Sequence, residues 1–254
     1  MTSKLSVITI TFNNFEDLLN TTKSLVGINI EHNIVNGGTC PLTKNFLSSF
    51  DGNHLSEKDH GIADAFNKGL DISTGDFVTF LNSGDVLLDT EYYREAIEIL
   101  EKNPDLAFVY ADICFIDRYA GKIRIKSGNP LPSMSFLHPT LIIRKTLIKK
   151  IGPFKLEYKI AIDLDFVYRL VRSGAIGHYI PRMVVEMEGT GISSTNYSLN
   201  YVETAKIILR NKDYSWNSFK FLIQRSVMLV LKFSLLACRG DSLLKWYRRK
   251  RYRL

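Results

Sequence analysis

Apolar and polar positions follow two rhythms along the chain, and the switches between them predict most of its elements. Leu5-Ser6-Val7-Ile8-Thr9-Ile10-Thr11-Phe12 is β-branched and partly alternating, which predicts a strand. Asn13-Asn14 reads as a turn and helix start. Residues 15–26 then place Leu18, Leu19, Thr22, Leu25 and Val26 on one helical face. Ile34-Val35 is a short second strand that stops at Asn36-Gly37-Gly38-Thr39, and strand–helix–strand at this spacing implies a right-handed crossover in a parallel sheet. Residues 42–50 are an ambiguous helix, and Leu55-Ser56 is a short strand. Gly61 turns the chain into a short helix on which Asp64, Asn67 and Lys68, three and four apart, share a face. Phe77-Val78-Thr79-Phe80-Leu81 is a buried-strand run that ends abruptly at Asn82-Ser83-Gly84-Asp85.

Further on, residues 92–102 predict a helix closed by Asn103-Pro104-Asp105, and 106–112 predict a strand. Gly121 sits in a hairpin turn between 113–118 and 122–125, and Asn129-Pro130-Leu131-Pro132 marks a loop. A helix opens within 160–170 and ends at Ser173-Gly174-Ala175; 179–181 and 183–185 read as strand pieces, and a helix begins in 202–210. With 254 residues, 45% of them hydrophobic, this pattern fits one α/β domain with an appendage, and excludes disordered, collagenous and repeat architectures. Three scattered cysteines have no metal-type spacing, and no apolar leader follows Met1, so free thiols in a reducing cytoplasm are expected.

Charge divides the chain. From Lys212 onward eleven cations face two anions, a net of +9, which leaves −2 for everything before. Residues 219–238 are strongly apolar yet interrupted by Lys220, Arg225 and Lys232, so they predict a helix lying in a membrane interface rather than a spanning one. The cationic cluster 248–253 adjoins it. The expected organisation is therefore a domain over 1–211 and a basic amphipathic extension over 212–254. A nucleic-acid-binding role is disfavoured, because the basic charge is local and no recognised binding motif accompanies it.

The chemistry concentrates where apolar strands end. A carboxylate on a tight turn at the carboxyl end of a strand is where open α/β sheets take ligands. Hard cations such as magnesium favour such oxygen ligands, usually shared with substrate phosphates. The run Ser56-Glu57-Lys58-Asp59-His60-Gly61-Ile62-Ala63-Asp64-Ala65-Phe66-Asn67-Lys68-Gly69, then Thr74-Gly75-Asp76, then Phe80-Leu81-Asn82-Ser83-Gly84-Asp85, resembles the inverting glycosyltransferases of family 2, which have the GT-A fold. The match is nearly unbroken over about thirty residues.

That resemblance implies a GT-A fold with a mostly parallel central sheet flanked by helices, and transfer of a sugar from a nucleotide donor, a UDP-sugar, with inversion. It implies a donor side built from Thr9, Thr11, Asn13, Asn36, Asp59, Asp64, Asn67, Lys68, Asn82 and Ser83, and a divalent cation (Mn2+ or Mg2+) on Asp85. The chain departs from the family's D-G-G-S-T-D wording at Asn36-Gly37-Gly38-Thr39-Cys40-Pro41, where asparagine keeps hydrogen-bonding capacity but loses charge. The acid-rich metal turn is reduced to Asp85 alone. Asp163 aligns with the catalytic base, although Ile162 replaces the acid usually before it. His138, Asp165 and Arg169 are candidate acceptor or phosphate contacts, and Gly189–Ser194 resembles a closing loop. By the same resemblance, the acceptor is a lipid-linked glycan of bacterial surface polysaccharide synthesis (O-antigen or capsule), met at the cytoplasmic face of the inner membrane. Two other functions share these features: a nucleotidyltransferase, and a non-catalytic membrane-bound module that holds nucleotide sugars.

Overall fold

The computed structural model describes residues 4–117, 121–127, 138–189, 196–213 and 215–237. Its elements run β1 (Leu5–Thr11), α1 (Phe15–Ser24), β2 (Glu31–Asn36), α2 (Pro41–Ser48), β3 (Asn53–Ser56), α3 (Ile62–Ile72), β4 (Phe77–Phe80), β5 (Val86–Leu87) and α4 (Glu91–Lys102). They continue as β6 (Leu106–Asp117), β7 (Gly121–Ile125), a 3-10 turn (His138–Thr140), β8 (Ile142–Arg144), α5 (Lys145–Ile151), α6 (Ile162–Arg172), β9 (Ile176–Glu188), α7 (Tyr197–Arg210) and α8 (Trp216–Ala237).

The strands form one sheet in the order β3-β2-β1-β4-β8-β6-β9-β5, with β7 added to β6. β3, β2, β1 and β4 are parallel, and β6 pairs parallel with β9; β8 runs antiparallel to both its neighbours. Side chains alternate across the sheet and divide the core into two layers. Leu5, Val7, Phe77, Val109 and Ile142 face one layer, with Tyr92, Tyr93 and Leu100 of α4. Ile8, Val78, Phe80, Phe108 and Ile143 face the other, with Phe66 of α3 and Phe166 of α6. Both faces are covered, which is why β1 and β4 read as nearly continuous apolar runs. In the second layer Phe66, Phe80, Phe154 and Phe166 pack ring on ring, with centroids 4.6 Å apart for Phe154–Phe166 and 4.9 Å for Phe80–Phe154. Such pairs add about 1 kcal/mol each beyond the area they bury.

Several elements are longer than the pattern suggested. The strand 106–112 and the first hairpin strand are one strand, β6, and the late strand pieces are one bulged strand, β9. α7 starts at Tyr197 instead of 202, α5 was not foreseen, and the segment before Arg144 is a 3-10 turn plus three strand residues. β2 begins three residues before Ile34, at Glu31-His32-Asn33. These polar residues occupy a strand because tertiary partners satisfy them: Glu31 accepts from Thr74 N (2.8 Å) and Thr74 Oγ1 (2.7 Å), and Asn33 donates to Ser73 Oγ at 3.0 Å. The boundary at 211/212 falls in the turn between α7 and α8, where Lys212 has φ 50°. Phe221 and Leu222 of α8 pack against the second core layer. No helix among the described residues is long and apolar enough to cross a membrane. The expected loops at 129–132 and 190–194 and the cluster 248–253 lie outside the described residues.

Candidate active site

The carboxyl ends of β1, β2 and β4 lie side by side, and the strand order places β1 between the chain's first crossover and its return. Such a point of reversal opens a crevice at the strand ends. β1 and the acidic turn are tied directly, because Leu81 N donates to Ile8 O at 2.9 Å and Ser83 N to Ile10 O at 3.1 Å. Gly84 has φ 102°, a conformation that a side chain would strain, and its N–H donates to Thr21 Oγ1 of α1 at 2.9 Å. Asp85 is buried, and its Oδ2 accepts from Asn82 N at 2.9 Å. Burial pushes its carboxyl up to about 7, and the Asn82 bonds only partly oppose this.

A hard divalent cation fits this turn. Among the described residues the buried Asp85 carboxylate has no cationic partner and would gain from a positive charge, and Ser83 Oγ, two positions earlier, is buried without a hydrogen-bond partner. Among the described residues no cluster of three or more His, Cys, Asp or Glu side chains could hold a metal ion. Asp85 would thus be a single protein ligand, and diphosphate oxygens and water would have to complete the shell.

The nucleotide-side candidates form a preorganised backbone cradle. Asn13, in the left-handed region at φ 55°, accepts from Thr39 N (2.8 Å) and Cys40 N (2.9 Å) and so fixes the start of α2. Asn36 is buried; its Oδ1 accepts from Gly38 N at 3.0 Å and its Nδ2 donates to Ser56 Oγ at 2.9 Å. Asp59 lies so close over Gly37 that a Cβ there would stand 1.7 Å from its Oδ2, so a side chain at 37 would displace the Asp59 carboxylate. Thr11 donates to Asn14 Oδ1 at 2.6 Å. Thr9 is fully buried and bonded to His32 Nε2 at 3.0 Å, one layer below the crevice.

The α3 face is spent on structure. Asn67 clamps Phe154 through both backbone groups, accepting from its N–H at 2.9 Å and donating to its carbonyl at 2.8 Å. Lys68 pairs with Glu57 (2.8 Å) and Asp64 (3.3 Å) and donates to Lys58 O at 2.9 Å, while Asp64 accepts from His60 N at 2.9 Å. These contacts hold the loop that carries Asp59.

The acceptor-side candidates separate into two groups. His138 Nε2 is 3.1 Å from Asn82 Nδ2, and its Nδ1 is 3.8 Å from Asp163 Oδ2. Burial keeps the ring neutral, with a pKa lowered to about 4, so the contact to Asp163 is not an ion pair. With the Asn82 amide donating, the ring's proton sits on Nδ1, toward the carboxylate. Contacts thus lead from Asp85 through Asn82 and His138 to Asp163 at the start of α6, the last of them a 3.8 Å approach instead of a hydrogen bond. Burial raises the Asp163 carboxyl to about 6, although Leu164 N donates to it at 2.8 Å. Asp165, by contrast, is fully paired with Arg169 Nε (2.8 Å) and Lys155 Nζ (3.1 Å). Arg169 also donates to the carbonyls of Ile151, Gly152 and Pro153. That pair braces the loop before α6.

Sequence patterning gave no sign of Glu203. This buried carboxylate of α7 accepts from Lys159 N (2.8 Å), Ile160 N (2.9 Å) and Ala161 N (2.9 Å), and so fixes the backbone that delivers Asp163. Glu203→Ala is expected to cost about 3 kcal/mol, because buried N–H groups lose their partner. It should also lower kcat more than it raises the donor KM. Urea unfolding and steady-state kinetics check both, and an unchanged kcat would make Glu203 a stability residue alone.

The family model for "Glycosyl transferase family 2" matches residues 6–175, which include every candidate residue above except Glu203. The chain belongs to glycosyl transferase family 2. An uncharacterised glycosyltransferase of Mycobacterium tuberculosis is 30% identical over 179 residues, 65% of this chain and 68% of that one. A PGL/p-HBAD biosynthesis glycosyltransferase of Mycobacterium bovis is 26% identical over 174 residues, 64% and 67% of the two chains. Among solved structures, S. aureus TarS 1-349 in complex with UDP-GlcNAc superposes with a TM-score of 0.62 at 18% identity, covering 81% of this chain and 66% of that one. The chain thus spans just under two thirds of that TarS chain. The mannosyltransferase PcManGT from Pyrobaculum calidifontis, in complex with GDP-Man and Mn2+, superposes with a TM-score of 0.64 at 14% identity, covering 98% and 84%. The fold of this family 2 glycosyltransferase is GT-A.

Proposed function

We propose that this glycosyltransferase moves a sugar, with inversion, from a nucleoside-diphosphate donor, a UDP-sugar, to a hydroxyl of a lipid-linked glycan. The observation that carries the reading is the run of contacts Asp85–Asn82–His138–Asp163, which leads from a buried carboxylate to a second carboxylate with a pKa of about 6. In this reading Asp163 takes the proton of the acceptor hydroxyl as that oxygen attacks the anomeric carbon, and the nucleoside diphosphate leaves from the opposite face. A base with a pKa near 6 is ionised at neutral pH yet basic enough to receive the proton. His138 and Asn82 act as positioning residues, holding the two carboxylates in register. A divalent cation, Mn2+ or Mg2+, on Asp85 would supply the positive charge that the departing diphosphate needs. The cradle of Thr11, Asn13, Asn36, Gly37 and Asp59 takes the nucleotide, with Asn36 contributing an amide instead of a charge.

The catalytic unit is residues 1–211, and 212–254 form an extension that rests on an anionic membrane surface. This is the cytoplasmic face of a bacterial inner membrane, where an acceptor for O-antigen or capsule synthesis is presented. The PGL/p-HBAD relative and the UDP-GlcNAc and GDP-Man complexes of the structural neighbours are in keeping with a nucleotide-sugar donor.

The test is a thermal-shift screen of UDP-GlcNAc, UDP-glucose and GDP-mannose with and without Mn2+, followed by product analysis. A UDP-sugar should raise Tm only with Mn2+, and slow turnover should release UDP. Release of pyrophosphate, the mark of a nucleotidyltransferase, would overturn the reading.

A further inference from the structure

Helix α4 turns two adjacent tyrosines into one apolar layer of the core, and only one of them has a partner for its hydroxyl. Tyr92 and Tyr93 are buried, at 0% and 1% exposure, in the layer that also holds Leu81 and Leu87 from either side of the acidic turn. Tyr92 OH donates to Thr140 O at 2.5 Å and so ties α4 to the 3-10 turn that carries His138. Tyr93 OH is buried without a hydrogen-bond partner. Phenylalanine would fill the same space without stranding a polar atom, and a buried hydroxyl left unpaired opposes folding.

The chain leaves Asp85 through β5, turns at Asp89, where Tyr92 N donates to Asp89 O at 3.2 Å, and enters α4. The first turn of α4 thereby brings Tyr93 behind the acidic turn. Burial raises the Tyr93 phenol, and the charge of Asp85 raises it further, so the hydroxyl keeps its proton and remains a donor facing an acid. Asp85 is itself buried, with Oδ2 held by Asn82 N at 2.9 Å. Two buried hydroxyls without partners thus accompany this carboxylate, Ser83 within the turn and Tyr93 from α4.

We propose that Tyr93 is a positioning residue for Asp85: its hydroxyl donates to the carboxylate from the buried side when that carboxylate carries the divalent cation, and stands unpaired in the metal-free protein. This rests on the cation assigned to Asp85 and adds the residue that orients its ligand. A hydrogen bond to a full charge is stronger than one between neutral groups, and a donor behind a metal-bound carboxylate fixes its orientation. Such a hydroxyl is a burden to the resting fold and a gain to the loaded one. Removing it should therefore move stability and cation affinity in opposite directions, which a purely structural tyrosine would not do.

The experiment uses the full-length chain, Tyr93→Phe, and Thr79→Val as the control. Thr79 Oγ1, on β4, is another buried hydroxyl without a partner, and valine keeps its shape. Mn2+ affinity is read from the electron paramagnetic resonance of free Mn2+ at saturating UDP, and metal-free stability from urea unfolding. Tyr93→Phe should unfold at no lower urea than wild type and bind Mn2+ about ten-fold more weakly, the scale of one hydrogen bond to a charged group. Thr79→Val should bind Mn2+ like wild type. Three results would overturn the proposal: unchanged Mn2+ affinity in Tyr93→Phe, a loss of metal-free stability in Tyr93→Phe, which would give the hydroxyl a partner in the resting fold, or an equal loss of Mn2+ affinity in Thr79→Val. Wild type that takes up no Mn2+ with UDP would sink the cation on Asp85 and this inference with it, whereas Mn2+ bound equally by wild type and Tyr93→Phe sinks this inference alone.

Discussion

Asp163→Asn is expected to lower kcat by about two to four orders of magnitude, the usual scale for a lost general base, with donor affinity little changed. Asparagine keeps the shape and still accepts from Leu164 N, so the start of α6 should not move. The same variant should gain stability at alkaline pH. In the folded chain the Asp163 carboxyl stands near 6, above its unfolded value near 3.9, so the native state holds its proton longer. Its contribution to stability is therefore complete below about pH 4 and is lost as pH rises through 6. Asparagine cannot ionise, and Asp163→Asn should be more stable than wild type by about 3 kcal/mol at pH 8 and nearly equal to it at pH 4. Chemical denaturation at the two pH values measures this. In wild type the acid limb of kcat/KM should fall near pH 6. If turnover survives while donor affinity collapses, Asp163 is a binding residue, and the base is another group.

Asp85→Asn should abolish metal-dependent transfer while leaving the fold intact. The substituted amide still accepts from Asn82 N, and a buried neutral group replaces a buried charge, so the metal-free protein should melt no lower than wild type. What disappears is the only carboxylate of the acidic turn. A cation at the leaving group is worth several kcal/mol of transition-state stabilisation, so turnover at saturating Mn2+ should drop by about three orders of magnitude. The Mn2+-dependent rise in Tm with UDP should vanish too. Near-normal rates at saturating Mn2+ or Mg2+ would remove Asp85 from the metal role.

The two halves of the site differed in how far patterning alone could reach them. The acidic turn was legible because local chemistry determines it: an apolar run that must be a buried strand, then a glycine at positive φ, then a carboxylate. Asp163 was reached differently, through its match to the family segment, although the helix that it opens was legible from its apolar spacing. The resemblance implied Asn67 and Lys68 as donor contacts. Their partners in the folded chain, Phe154 and Glu57, are reached only through the fold. Thr9 is bonded to His32 of β2, a partner that only the fold supplies.

By itself the sequence determined the α/β class, the parallel order implied by its first crossover, and the acidic turn at Asp85, since each depends on periodicity and turn chemistry within a few residues; Asp163 was reached through the resemblance. Only the tertiary structure decided which polar side chains remain available for chemistry. Asp165 and Arg169 lie four apart on one helix and look like a functional pair, yet the backbone carbonyls of 151–153 and Lys155 close around them. The resemblance singled out His138 among five histidines, but only the fold sets it between Asn82 and Asp163. Glu203 lies forty residues after Asp163 in a helix with ordinary apolar spacing, and its role follows from three N–H groups that come within reach when α7 packs on α6. Hydrogen-bond partners distant in the chain leave no periodic trace, so a carboxylate that organises a site and one that faces water are alike until the chain folds.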